Sequence, residues 1–65
     1  MYGKRIRELR KQAGLSQQSL AGLLAVSQDT VSNWERGKSL PPTAYLRDLA
    51  AALGVSVNEL LGGEL

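Results

Sequence analysis

Three times in this sequence an apolar residue is followed by serine, and a second apolar residue stands five positions after the first. The cases are Leu15-Ser16 with Leu20, Val26-Ser27 with Val31, and Val55-Ser56 with Leu60. Serine at such a place accepts a hydrogen bond from a free backbone N–H of a first helical turn. The two apolar residues pack on each other and fix the angle of entry. The third case adds Glu59 at the reciprocal capping-box position. The stops are as regular. Gly14, Gly37, Gly54 and Gly62 each follow a helical pattern, and glycine accepts the left-handed turn that ends a helix. These signals predict five helices, at roughly 2–13, 17–24, 28–36, 43–53 and 57–61. Pro41-Pro42 precedes the fourth, where a missing N–H costs little. No alternating β-branched run, repeat, low-complexity tract or linker competes with this division. The predicted fold class is all-α, a compact five-helix arrangement occupying residues 1–65 as one domain.

Each predicted helix carries an apolar stripe. Tyr2, Ile6, Leu9 and Ala13 line the first, and Leu20, Ala21, Leu23 and Leu24 the second. Val31 and Trp34 line the third. Leu46, Leu49, Ala50 and Leu53 form an i, i+3, i+4, i+7 set on the fourth, and Val57, Leu60 and Leu61 close the fifth. Trp34 in isolation is a candidate for stacking on a base, but its spacing from Val31 assigns it to the core.

Composition removes whole classes of chemistry. The 65 residues include no cysteine and no histidine. Disulfides, thiolate or imidazole metal sites, and Ser-His-Asp or Cys-His catalysis are therefore excluded. No clustered carboxylates suggest a metal, and no cofactor or small-molecule substrate is indicated, so the chain does not read as an enzyme. The longest apolar stretches, Leu20–Val26 and Leu49–Val55, fall far short of the about 20 residues of a membrane span. The N-terminus has basic residues but no apolar core after them, unlike a signal peptide. The expected location is the cytoplasm, in association with the nucleoid. Charge is uneven. Residues 1–38 carry seven Lys/Arg against three carboxylates, net +4, whereas residues 39–65 carry one against three, net −2. A basic N-terminal half suits a polyanion, although a merely solvated basic helix gives the same pattern.

The second and third helices are separated only by Ala25-Val26-Ser27. So short a link forces a sharp turn, the geometry of a helix-turn-helix spanning about 17–36. Leu20, Ala21, Leu24, Val26, Val31 and Trp34 are its inward positions, and Ala21 must be small where the third helix crosses. With those residues placed, the sequence resembles the λ-repressor-like (Cro/XRE-type) DNA-binding domain. The likeness runs from the basic first helix through Trp34–Lys38 (WERGK) to Leu49–Leu61 (LAAALGVSVNELL). The resemblance implies a five-helix fold that binds a double-stranded DNA operator as a dimer, with residues 28–36 as the reading helix. Ala25 departs from the family, which usually has glycine there. A non-glycine residue in a left-handed turn costs on the order of 1 kcal/mol.

The chemistry of the reader follows from its residues. With Val31 and Trp34 inward, the opposite face carries Gln28, Asp29, Ser32, Asn33 and Arg36. Gln and Asn each give and accept one bond, matching N7 and N6 of adenine in the major groove. Asp29 only accepts, from cytosine N4 for example, or else serves the helix dipole. Gln28, Asp29, Ser32 and Asn33 are thus the candidate base contacts. Gln17 opens the second helix, where free N–H groups suit a phosphate, and the resemblance makes it a backbone anchor. Ser27 can cap its helix, touch a phosphate, or do both. With Arg36, and with Lys38 and Thr43 in the loop beyond, these complete the candidate phosphate contacts. Lys4, Arg5, Arg7 and Lys11 read as distant field charges. The resemblance further implies that Arg10 and Glu35 form a partly buried ion pair joining the first and third helices.

The function expected is a sequence-specific regulator of transcription, a repressor in the leading reading. The alternative is an interaction module such as a toxin-neutralising antitoxin. Against it, these 65 residues hold no spare segment for wrapping a toxin. One reading helix covers only a few base pairs, so a homodimer on DNA is expected, reading half-sites roughly 34–36 Å apart. The mildly acidic C-terminal part, with Val57, Leu61 and Leu65, is the candidate dimer surface.

Overall fold

Five helices follow one another in the computed structural model, which describes residues 2–62, the side chain of Tyr2 excepted. They are α1 (Tyr2–Gln12), α2 (Gln17–Leu24), α3 (Gln28–Glu35), α4 (Thr43–Leu53) and α5 (Val57–Leu60). The serine device operates three times. Ser16 Oγ accepts from Ser19 N at 2.9 Å, Ser27 Oγ from Thr30 N at 3.1 Å, and Ser56 Oγ from Glu59 N at 3.0 Å. Glu59 Oε1 accepts from Ser56 N at 2.9 Å, which completes the capping box. That backbone bond, then the Ser56 hydroxyl and the charge of Arg5, hold the Glu59 carboxyl below its ordinary value. The staple residues Leu15, Val26 and Val55 pack on the core, and Leu20, Val31 and Leu60 are wholly buried.

The first four helices end alike, each with an N–H bonded to the carbonyl five residues earlier. The bonds are Leu15 to Arg10, Val26 to Ala21, Lys38 to Asn33 and Val55 to Ala50, at 2.9–3.1 Å. This closure needs a left-handed residue just before the donor. Gly14, Gly37 and Gly54 fill that place in three cases, and Ala25, with φ 58° and ψ 40°, in the fourth. The αL turn predicted at Ala25 is therefore present. It lets only three residues separate α2 from α3.

The core comprises Ile6, Leu9, Leu20, Ala21, Leu24, Val31, Trp34, Leu49, Ala50, Leu53 and Leu60. α3 packs on α1 and α2, α4 on α2, and α5 on both α1 and α4. Tyr45, absent from the predicted stripes, stands against Trp34 with ring centroids 5.8 Å apart and planes tilted by 53°. Three predicted stripe positions are corrected, among them Leu61, which is 43% exposed as the C-cap that follows α5. Leu23 is 63% exposed, because Leu20, Leu24 and Ala21 already span the inward arc and residue 23 lies about 60° outside it on the Leu20 side. Ala13 is exposed because α1 ends at Gln12 and the chain turns toward Gly14. α3 and α5 also end one residue before their predicted limits, with Arg36 and Leu61 as C-caps. Leu65 lies outside the described residues, as does the Tyr2 side chain. No helix among the described residues is long and apolar enough to cross a membrane.

Two glycines inside helices make opposite demands. A Cβ at Gly3 would collide with the Trp34 carbonyl oxygen and crowd that of Glu35, so α1 approaches the end of α3 only because residue 3 has no side chain. A Cβ at Gly22 would meet nothing, and Gly22 has no left-handed φ. Gly22→Ala should therefore stabilise by about 1 kcal/mol and raise Tm by roughly 4–8 °C. Gly3→Ala should lower Tm. Thermal unfolding followed by circular dichroism measures both. Equal signs for the two substitutions would contradict this packing.

Candidate nucleic-acid interface

The interface is built outward from one buried ion pair. Arg10 Nε donates to Glu35 Oε2 at 2.6 Å and Arg10 Nη2 to Glu35 Oε1 at 3.1 Å, a bidentate fork between α1 and α3. The two side chains are 10% and 2% exposed. Arg10 Nη1 also donates to the Leu15 carbonyl at 2.8 Å, which ties in the turn before α2. Glu35 Oε1 accepts a further bond from Gln17 Nε2 at 3.1 Å, which ties in α2 itself. Gln17 Oε1 in turn accepts from Gln28 Nε2 at 3.4 Å. A continuous chain of polar contacts thus runs from α1 through the buried end of α3 to α2, and back to the first turn of α3. No buried side-chain N or O among the described residues lacks a partner.

The predicted site residues fall into groups on this frame. Gln28 and Asp29 are exposed on the first turn of α3, and Asp29 is the acidic residue of that turn. Ser32 and Asn33 are half-buried on the next turn, and Arg36 is exposed. Arg36 Nη2 donates to Asn33 Oδ1 at 3.2 Å, so these two meet. Ser27 Oγ, besides capping, lies 2.9 Å from Thr30 Oγ1. Lys38 is exposed in the loop after α3, and Thr43 is exposed as the first residue of α4.

Gln17, the predicted backbone anchor, donates from Nε2 to Glu35 and accepts at Oε1 from Gln28, which leaves its second amide hydrogen free of either contact. Ser16 Oγ caps the Ser19 N–H, and Gln17 and Gln18 are the first two residues of α2. Nothing in the spacing of residues 17 and 35 announces their contact, and only the fold reveals Gln17 as an orienting residue. Arg5, read as a field charge, donates to the Glu59 carbonyl at 3.1 Å and links α1 to α5. Val57 is half-buried against the core and Leu61 is 43% exposed, at the end of the molecule that carries α5.

A helix-turn-helix family model matches residues 6–60. A transcriptional regulator of Deinococcus deserti, DdrOP3, is 38% identical over 60 residues, which are 92% of this chain and 46% of that protein. The uncharacterised regulator YazB of Bacillus subtilis is also 38% identical over 60 residues, 92% of this chain and 87% of that one. The P22 c2 repressor in complex with a synthetic operator superimposes with a TM-score of 0.89 and 36% identity, over 98% of this chain and 97% of that one. The chain spans less than half the length of the Deinococcus regulator and about a third of an activator of Enterococcus faecalis that it also matches.

Removal of one partner of a buried, hydrogen-bonded pair leaves the other charged and unsatisfied, at a cost of about 3–5 kcal/mol. Arg10→Ala and Glu35→Ala should each lose stability on that order in urea unfolding. Glu35→Ala also frees Gln17. The double variant should be less destabilised than the sum of the two, and strict additivity would show that the pair carries no coupling.

Proposed function

The chain belongs to the λ-repressor-like, Cro/XRE-type helix-turn-helix family, and from that premise we propose that it is a sequence-specific double-stranded DNA-binding regulator, a repressor rather than an enzyme. The observation that carries this reading is the outward face of α3. Gln28, Asp29, Ser32 and Asn33 stand together on a helix held by α1 and α2, in a fold shared with a repressor bound to its operator. A helix about 10–12 Å across with its side chains fits the B-DNA major groove, and these side-chain types match base edges. Such a protein acts on the nucleoid in the cytoplasm.

Base reading and positioning divide between residues. Gln28, steadied by Gln17, keeps its amide oxygen and one N–H for adenine. Ser27, Lys38, Thr43 and the N–H groups at the start of α2 hold phosphates. In that division Gln28→Ala should weaken specific binding by about 1–3 kcal/mol and relax one or two base positions. Lys38→Ala should weaken all duplexes alike and reduce the slope of log K against log salt by about 1. Selection from a random duplex pool, with titrations at several salt concentrations, tests both. An unchanged motif for Gln28→Ala would sink the reading.

One such helix contacts too few base pairs for selectivity in a genome. A pair of chains about a dyad, with Val57 and Leu61 at the mutual surface, doubles the site. Titration of a palindromic duplex should give two chains per duplex with positive cooperativity. One chain per duplex with an asymmetric motif would remove the dimer. Cooperative binding that survives Val57→Ser and Leu61→Ser would move the surface elsewhere.

A further inference from the structure

Two amides lie on the outward face of α3, and their neighbours leave them with opposite polarity. Gln28 spends one amide hydrogen on Gln17 and keeps its oxygen and second hydrogen. Asn33 is held the other way round, because its Oδ1 accepts from Arg36 Nη2. A guanidinium has five donors and no acceptor, so the amide atom that faces it must be the oxygen. The amide hydrogens of Asn33 are then what remain for a partner. The contact is permitted by the helix spacing. Residues three apart on a helix are neighbours, and Arg36, the C-cap of α3, is fixed by its N–H bond to the Ser32 carbonyl at 3.0 Å.

We propose that Asn33 and Arg36 form one donor-presenting unit that reads guanine, with Arg36 as the positioning residue that sets the polarity of Asn33. The proposal rests on the DNA-reading function above and departs from the adenine expected of a free asparagine. Bidentate reading of adenine needs the amide oxygen turned to the N6 amino group. Here that oxygen already accepts from Arg36 and lies beside a cation, whose field opposes an approaching amino group. Cytosine offers only such an amino group. Guanine offers two acceptors, O6 and N7, and thymine offers one beside a methyl group. Two acceptors answer a patch made only of donors.

The test is selection from a random duplex pool with the wild-type chain and with Asn33→Ala, Arg36→Met and Arg36→Lys. The position under Asn33 is the one that Asn33→Ala relaxes, and it differs from the one that Gln28→Ala relaxes. There the wild type should favour guanine about tenfold over adenine. Arg36→Met should erase that preference and admit adenine, since the amide is then free to rotate. Arg36→Lys should keep guanine, because an ammonium group is also only a donor. Adenine or cytosine under wild-type Asn33, with the Gln28 position intact, would overturn this proposal alone. So would an Arg36→Met variant that binds all duplexes more weakly with its base preference unchanged, since Arg36 would then be a phosphate contact. Failure of Asn33→Ala to relax any position would also overturn it. Enrichment of no duplex by the wild type would overturn the DNA-reading function and this proposal with it.

Discussion

The bidentate pair between Arg10 and Glu35 fixes how α1 and α3 face each other, and the polar side chains of the interface take their positions from it. Apolar surfaces tolerate sliding, whereas a guanidinium fork meets a carboxylate well from few directions. The net stabilisation from such a pair is small, because desolvation offsets most of the attraction. Its effect is geometric. The remaining donor of Arg10 fixes the Leu15 carbonyl, and Glu35 Oε1 is shared with Gln17, so one carboxylate aligns three helices. The close approach at Gly3 lies at the same end of α3 and allows α1 to come near enough for the fork to close.

A chain this short leaves little apolar surface with which to orient five helices. The helix ends supply the missing definition. Serine caps start three helices and left-handed closures stop four, each closure engaging a carbonyl that would otherwise lack a partner. Ala25 is the strained member of this set. Its conformation costs on the order of 1 kcal/mol, which the burial of Ala21, Leu24 and Val31 around the turn offsets. The reading helix is thus only eight residues long yet anchored at both ends, by Ser27 and by the turn at Gly37.

Much of this was legible in the sequence because it depends on local rules. The caps, the left-handed residues and the three-residue link placed all five helices to within a residue at each end. Periodicity placed most of the core. It failed at Leu23, where a wide apolar stripe overran the arc that α3 and α4 can cover, and at Ala13 and Leu61, each beyond the end of its helix. The interface was legible only as a set of residue types on a face. The partner of each amide was not, because Gln17 meets Glu35 across 18 positions and the Asn33 oxygen is claimed by a side chain that sequence reading assigns to a phosphate. Polarity of an amide is a property of its neighbours, and neighbours distant in sequence have no local signature.

The distribution of charge decides how such an interface divides affinity from selectivity. α1 turns Ile6, Leu9 and Arg10 inward, so exposed Lys4, Arg7 and Lys11 lie on the side away from the core. Arg10 is neutralised by Glu35, and Arg5 is held against the end of α5. α2 has no charged residue at all. Around α3, Arg36 and Lys38 are exposed cations, Lys4 stands beside Arg36 at its C-terminal end, and Asp29 lies on its first turn. Counterion release scales with the number of phosphates neutralised, so in the proposed function the sequence-independent part of binding would rest on these few cations. In the proposed function selectivity comes from the fit of polar side chains to base edges, and each such contact is worth little unless it is held in one orientation. On that proposal the hydrogen bonds between Gln17 and Gln28 and between Arg36 and Asn33 would supply that orientation before any base arrives, so that less side-chain freedom would be lost on binding. On that proposal, the residues that orient the readers matter as much as the readers themselves.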